Sequence, residues 1–152
     1  MARAPALIVA LAIAAPGAAR AMEEVHSVQE VFPAEGQDHQ TLAKRALVCI
    51  PKFATSGLTT ANTIVSSDVE AGFVQARNAW KGSGMFGLNY RTTITFEAKD
   101  GRFRISHGEF EVATDRSAYS AMNYPGGALL DMRNQSTRIA ACVISGPVSD
   151  DF

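Results

Sequence analysis

Along this chain the apolar positions alternate between two spacings, every second residue and every third or fourth, and each switch marks a new element. Residues 28–32 read as a first strand closed by Pro33, because proline biases its predecessor toward extended geometry. Over residues 40–53, Leu42, Ala46, Cys49, Ile50 and Phe53 recur at helical intervals and form one apolar stripe, with Lys44, Arg45 and Lys52 on or near the other faces. Asp38 stands ahead of that stripe, where a carboxylate can accept the unpaired amides of a first turn. Pro51 lacks an amide donor, so the regular helix is predicted to end near Ile50.

Strand patterns follow. Thr63, Ile64 and Val65 are β-branched, and residues 68–72 supply a turn into a strand over 73–80. Residues 89–99 alternate cleanly, with Ile94, Phe96 and Ala98 on one side and Thr93, Thr95, Glu97 and Lys99 on the other. Asp100-Gly101 then predicts a tight hairpin turn requiring positive φ. In the return strand Phe103 and Ile105 share a phase, but the next apolar pair, Phe110 and Val112, falls in the opposite one. A bulge or turn near Gly108 is therefore required, since an unbroken strand would aim the second pair at the wrong face. Residues 115–127 are loop-rich. Leu129, Met132, Ser136, Ile139 and Val143 restore helical spacing, predicting a second helix over 129–145 stopped by Gly146-Pro147, with residues 150–152 as a free tail.

The resulting order is β-α-ββββ-α. It predicts an α+β fold in which an antiparallel sheet of about five strands carries two helices on one face, since a sheet with one apolar face needs a cover. Both cysteines, Cys49 and Cys142, lie inside the two helical patterns. Helices sharing a face would bring them together as a disulfide; the alternative is two separately buried thiols.

The first 21 residues alter the chemistry open to the rest. Arg3 is their only early charge, residues 6–15 are an apolar run too short to span a bilayer, and Ala19-Arg20-Ala21 is a small-x-small cleavage signal. The expectation is a signal peptide over 1–21, cleaved after Ala21, and one domain over 22–152 without a stable transmembrane anchor. Export to the periplasm or cell exterior permits disulfide formation. Removing that segment takes Arg3 and Arg20 but no acid, so the 14 basic residues fall to 12 against 15 acids, a net charge of −3. A dispersed, slightly acidic balance argues against a nucleic-acid partner, whose phosphates need a concentrated positive field.

Several runs resemble a bacterial exported domain family of uncharacterised role with a TATA-binding-protein-like fold. They are the segment 38–46, the turn and strand over 68–74, Tyr90 entering the long hairpin, and Lys99-Asp100-Gly101-Arg102-Phe103-Arg104-Ile105, within a span of about 25–112. A tryptophan common near the end of the family's first helix is missing here, where Val48 to Ile50 stand. The resemblance implies the shape and supplies neither a reaction nor a ligand.

Chemistry is thinly signalled. His107, Glu109 and Glu111 form a His-x-Glu-x-Glu run, the one local grouping suited to a metal or to proton transfer. No serine lies in a nucleophile-elbow pattern, and no nucleotide or zinc motif is present, so no catalytic, cofactor or metal residue is assigned. The expected interaction surface comprises Arg77, Arg91, Arg102 and Arg104 with the aromatic residues Trp80, Tyr119 and Tyr124. This favours a noncatalytic, envelope-associated binding or assembly module whose partner is an envelope protein or a small anionic ligand. The competing reading is a small exported hydrolase or metal-assisted enzyme near His107 and Glu109.

Overall fold

Lys99 and Arg102 pair across the two-residue turn Asp100-Gly101, joining β4 (Asn89–Lys99) to β5 (Arg102–Ala113) in the longest antiparallel ladder of the structure. Of the two turn residues only Gly101 takes a positive φ, +79°. The structure is a computed structural model describing residues 28–54, 63–82, 88–113, 120–121 and 126–146. The proposed signal peptide, Tyr119, Tyr124 and the tail lie outside the described residues.

On one side of this hairpin β3 (Phe73–Lys81) pairs with β4, and β2 (Ile64–Asp68) pairs with β3. On the other side β1 (Val28–Pro33) pairs with the first half of β5, and the two-residue β6 (Ser120–Ala121) with its far end. The sheet order is β1-β5-β4-β3-β2, antiparallel throughout, as the alternation predicts. The phase shift in β5 is absorbed where the register slips between Arg91 and Thr93. There Glu109 adopts a φ of +52°, so the left-handed residue of the bulge is a glutamate and not the neighbouring Gly108.

Helix α1 (His39–Phe53) begins at Asp38, whose carboxylate accepts from the Thr41 amide at 2.8 Å. It does not stop near Ile50. Pro51 sits in the final turn, where its missing donor removes one bond toward an end that is fraying anyway, and the Ala54 amide still reaches the Ile50 carbonyl. Helix α2 (Gly126–Ser145) starts three residues earlier than its apolar stripe suggests, taking in Gly126 and Gly127. Its end is marked by Gly146 at φ +81°.

Both helices cover the same face of the sheet, and Cys49 of α1 is bonded to Cys142 of α2. Leu42, Ala43, Ala46 and Ile50 from α1, and Ile139, Ala140 and Val143 from α2, close over Val74, Ala76, Ile94, Phe96, Phe103 and Ile105. Each fully enclosed Leu, Ile or Phe contributes about 1.5–3 kcal/mol through lost water contact. A second cluster of Val28, Tyr90, Phe110, Ala128 and Met132 lies at the other end of the same face. Between the two runs a polar band, with Asn78 on β3, Thr92 on β4, His107 on β5 and Ser136 on α2, all buried. Beside it Gln135 accepts from the Asn78 amide at 2.7 Å, returns a bond to Asn78 Oδ1 at 3.0 Å and donates to the Phe53 carbonyl at 2.6 Å.

Candidate functional site

The face of the sheet turned away from the helices carries the charged strand positions. Strand period two puts Arg77, Arg91, Arg102 and Arg104 all on this open side, opposite in phase to Ala76, Phe103 and Ile105. They form two sites along the strands. Near the bulge, Arg77 and Arg91 line a small polar recess of about 120 Å³ with Thr92, Thr93, Glu109 and Glu111. Here each acid is engaged: Arg91 Nε meets Glu111 Oε2 at 2.6 Å, and Thr93 Oγ1 donates to Glu109 Oε2 at 2.5 Å. Two cations face two anions, leaving little net charge.

The hairpin end is different. A groove of about 590 Å³ is lined by Val31, Phe73 and Ala71 on its apolar side and by Lys99, Arg102, Arg104, Glu97 and Asp68 on its polar side. Arg104 and Glu97 form an ion pair across β4 and β5, with Arg104 Nε at 3.0 Å from Glu97 Oε2. Val31, 63% exposed, flanks that pair from β1 and Phe73 flanks it from β3. One row nearer the turn, Lys99 and Arg102 stand directly opposite each other. Both are exposed, and neither joins an ion pair with any described residue. Like charges opposite one another on a sheet destabilise it, so the fold tolerates this pair against its own stability.

The adjoining acid, Asp100 in the turn itself, is bonded to the start of α1 instead. His39 at the start of α1 donates its backbone amide to Asp100 Oδ1 at 3.0 Å and sets ring Nδ1 2.7 Å from the same oxygen. Ring Nε2 lies 3.0 Å from the Glu70 carbonyl in the β2–β3 turn. The hydrogen bond to Asp100 raises the imidazole pKa above its ordinary value, and that same bond lowers the Asp100 carboxyl. Bonding to Thr41 lowers Asp38 likewise.

Trp80 does not join the arginines. It lies on the helix-covered face, 5.4 Å from the Tyr90 ring and 6.3 Å from the Phe110 ring, with Nε1 donating to Asp131 of α2 at 3.1 Å. Parity reveals this placement, since Trp80 is in step with Val74, Ala76 and Asn78. The His-x-Glu-x-Glu run is likewise split by the bulge: Glu109 and Glu111 reach the open face, while His107 is wholly buried with Nε2 2.9 Å from Ser136 Oγ. Burial lowers the His107 pKa to about 4. Among the described residues no three His, Cys, Asp or Glu side chains gather as a metal site. Nor is any described helix long and apolar enough to cross a membrane.

A five-stranded antiparallel sheet, with a short sixth strand, one helix inserted after the first strand and a second closing the chain, matches solved bacterial structures. One is a TBP-like protein from Parabacteroides distasonis ATCC 8503, at TM-score 0.58 and 7% identity, covering 77% of this chain and 91% of that one. The fold is TBP-like. A DUF4468 family protein from Bacteroides ovatus ATCC 8483 matches at TM-score 0.57 and 11% identity, covering 81% of this chain and 88% of that one. No family model and no curated protein matches the sequence. At such identities the TBP-like likeness speaks to shape alone.

Proposed function

We propose that this protein is an exported, noncatalytic binding module of the bacterial envelope, whose groove at the hairpin end docks an acidic peptide segment of a partner protein. The carrying observation is the row of Lys99 and Arg102, two exposed cations set against each other one row beyond Val31 and Phe73 in the same groove. Charge complementarity selects an acidic partner, and the apolar wall selects a segment that also carries a large apolar side chain. The Cys49–Cys142 disulfide and the leader-like pattern of residues 1–21 support export. The hydrolase reading loses its constellation, because His107 and Glu109 occupy opposite faces of the sheet.

The test is fluorescence anisotropy of the full chain with a short labelled peptide rich in Asp and Leu, beside a version with Lys in place of Asp. The acidic peptide is expected to bind, and the double reversal Lys99→Glu with Arg102→Glu to weaken it by about tenfold or more, as for a pair of steering charges at a rim. Equal binding of the Lys version, or indifference to the double reversal, would overturn the proposal. So would acetate or phosphate alone displacing the peptide at equal concentration, which would point to a small anion.

A further inference from the structure

We infer that His39 is a proton-operated clasp controlling how strongly the Lys99–Arg102 edge holds an anion. This inference rests on the docking reading and adds a regulatory element to that site.

The geometry of the ring carries it. The Glu70 carbonyl can only accept a hydrogen bond, so Nε2 at 3.0 Å must carry a hydrogen. An ionised Asp100 carboxylate can also only accept, so Nδ1 at 2.7 Å must carry one as well. An imidazole with hydrogens on both nitrogens is a cation. The groups facing it are Asp100 from the β4–β5 hairpin, Asp38 from the segment leading into α1, and the Glu70 carbonyl from the β2–β3 turn. The positive end of α1 works against the charged ring, and the two carboxylates favour it. Hydrogen bonding to Asp100 outweighs the loss of hydration, so the ring's pKa is raised.

Two consequences reach the groove. Protonated His39 holds the Asp100 carboxylate against α1, away from the neighbouring Lys99 and nearby Arg102 across the turn. It also ties the hairpin to the β2–β3 turn, and these segments contribute Lys99, Arg102, Asp68 and Ala71 to the lining. A neutral ring has a single hydrogen and must release one acceptor. Released by the ring, the Asp100 carboxylate keeps only the His39 backbone amide and its freer oxygen competes with an incoming anion for Lys99 and Arg102; released on the Glu70 side, the two walls of the groove lose one of their ties, beside that of the Ala98 amide to the Gly72 carbonyl. In both cases anion affinity falls as pH rises through the His39 titration.

The experiment measures binding of the Asp- and Leu-rich peptide to the full chain from about pH 5.5 to 8.5, with the His39 ring titration followed by NMR in the same samples. Wild-type affinity is expected to drop by about threefold or more, the scale of one exposed charge interaction. His39→Ala should bind at the weak, high-pH level throughout. Asp100→Asn removes the competing charge, and its amide can donate to a neutral ring that still bonds the Glu70 carbonyl, so by either route it should lose most of the pH dependence. A flat wild-type profile, or an unchanged slope in His39→Ala, overturns the clasp while leaving the docking site standing. No binding at any pH overturns the docking reading itself. If His39→Ala does not fold, the Asp100→Asn profile and the wild-type ring decide alone, and a ring titrating at or below 6.5 overturns the clasp.

Discussion

His107 Nε2 lies 2.9 Å from Ser136 Oγ, and both side chains are completely enclosed between β5 and α2. The imidazole is therefore neutral in the folded protein, with a pKa of about 4 against an ordinary 6.5. The unfolded chain binds the proton more readily than the folded one. Stability is unaffected above pH 6.5 and falls as pH drops from there toward 4, reaching a loss of roughly 3 kcal/mol at one pKa unit per 1.36 kcal/mol. His107→Phe should flatten this part of the pH profile. Urea midpoints collected from pH 4 to 7 check it, and equal acid sensitivity in the variant would remove His107 as the cause.

The disulfide between Cys49 and Cys142 closes 93 residues of chain. In the loop-entropy description a closure of that size stabilises by about 4–5 kcal/mol, and typical values run nearer 2–4. Reduction, or the double change Cys49→Ala with Cys142→Ala, is expected to lower the thermal midpoint by about 5–15 °C, at ~2–4 °C per kcal/mol for a chain of this length. Calorimetry with and without reductant measures this, and thiol labelling of oxidised protein should find no free group. Two reactive thiols in oxidised protein would contradict the bridge.

Glu109 holds a φ of +52° that glycine adopts without steric cost. Its side chain returns one exposed hydrogen bond with Thr93. Relief of the left-handed strain, about 1–2 kcal/mol, offsets the loss of an exposed bond of roughly 0.5–1.5 kcal/mol. Glu109→Gly should accordingly leave stability unchanged or raise it by up to about 1 kcal/mol, whereas Glu109→Val should lower it. Denaturant unfolding of the two variants distinguishes strain from a stabilising role of the carboxylate.

Gln135 joins three elements by bonding Asn78 on β3 and the Phe53 carbonyl at the end of α1 from its place on α2. Gln135→Ala removes three hydrogen bonds at a partly buried junction, and a loss of about 2–3 kcal/mol is expected. Gln135→Glu keeps the shape but lacks the donor to Phe53, so it should recover little. Urea midpoints of both variants are the check.

Most of the sheet could be read from the sequence because its information is local. Ile94, Phe96 and Ala98 declare one face by simple alternation, Asp100-Gly101 declares the hairpin, and the clash of phase between Ile105 and Phe110 demands the bulge. The same parity puts the arginines on the open face. What escaped has a non-local cause. The length of α1 past Pro51 depends on how little the last turn needs its amide, and the early start of α2 at Gly126 carries no apolar marker. Trp80, expected on one surface with the arginines, shares its parity with Asn78 and so belongs to the covered face. The His39–Asp100 contact spans 61 residues, so no spacing in the chain could announce it.

The buried polar band that parts the two apolar clusters also divides their resistance to water. The cluster around Phe96 and Ile105 lies under both helices and their covalent link, whereas Tyr90, Phe110 and Met132 are held by α2 without α1. Opening the smaller cluster leaves the larger one closed and exposes only a fraction of the core. In heavy water the amides of Tyr90 and Phe110 will therefore exchange through partial opening, and those of Phe96 and Ile105 will wait for the whole molecule to come apart.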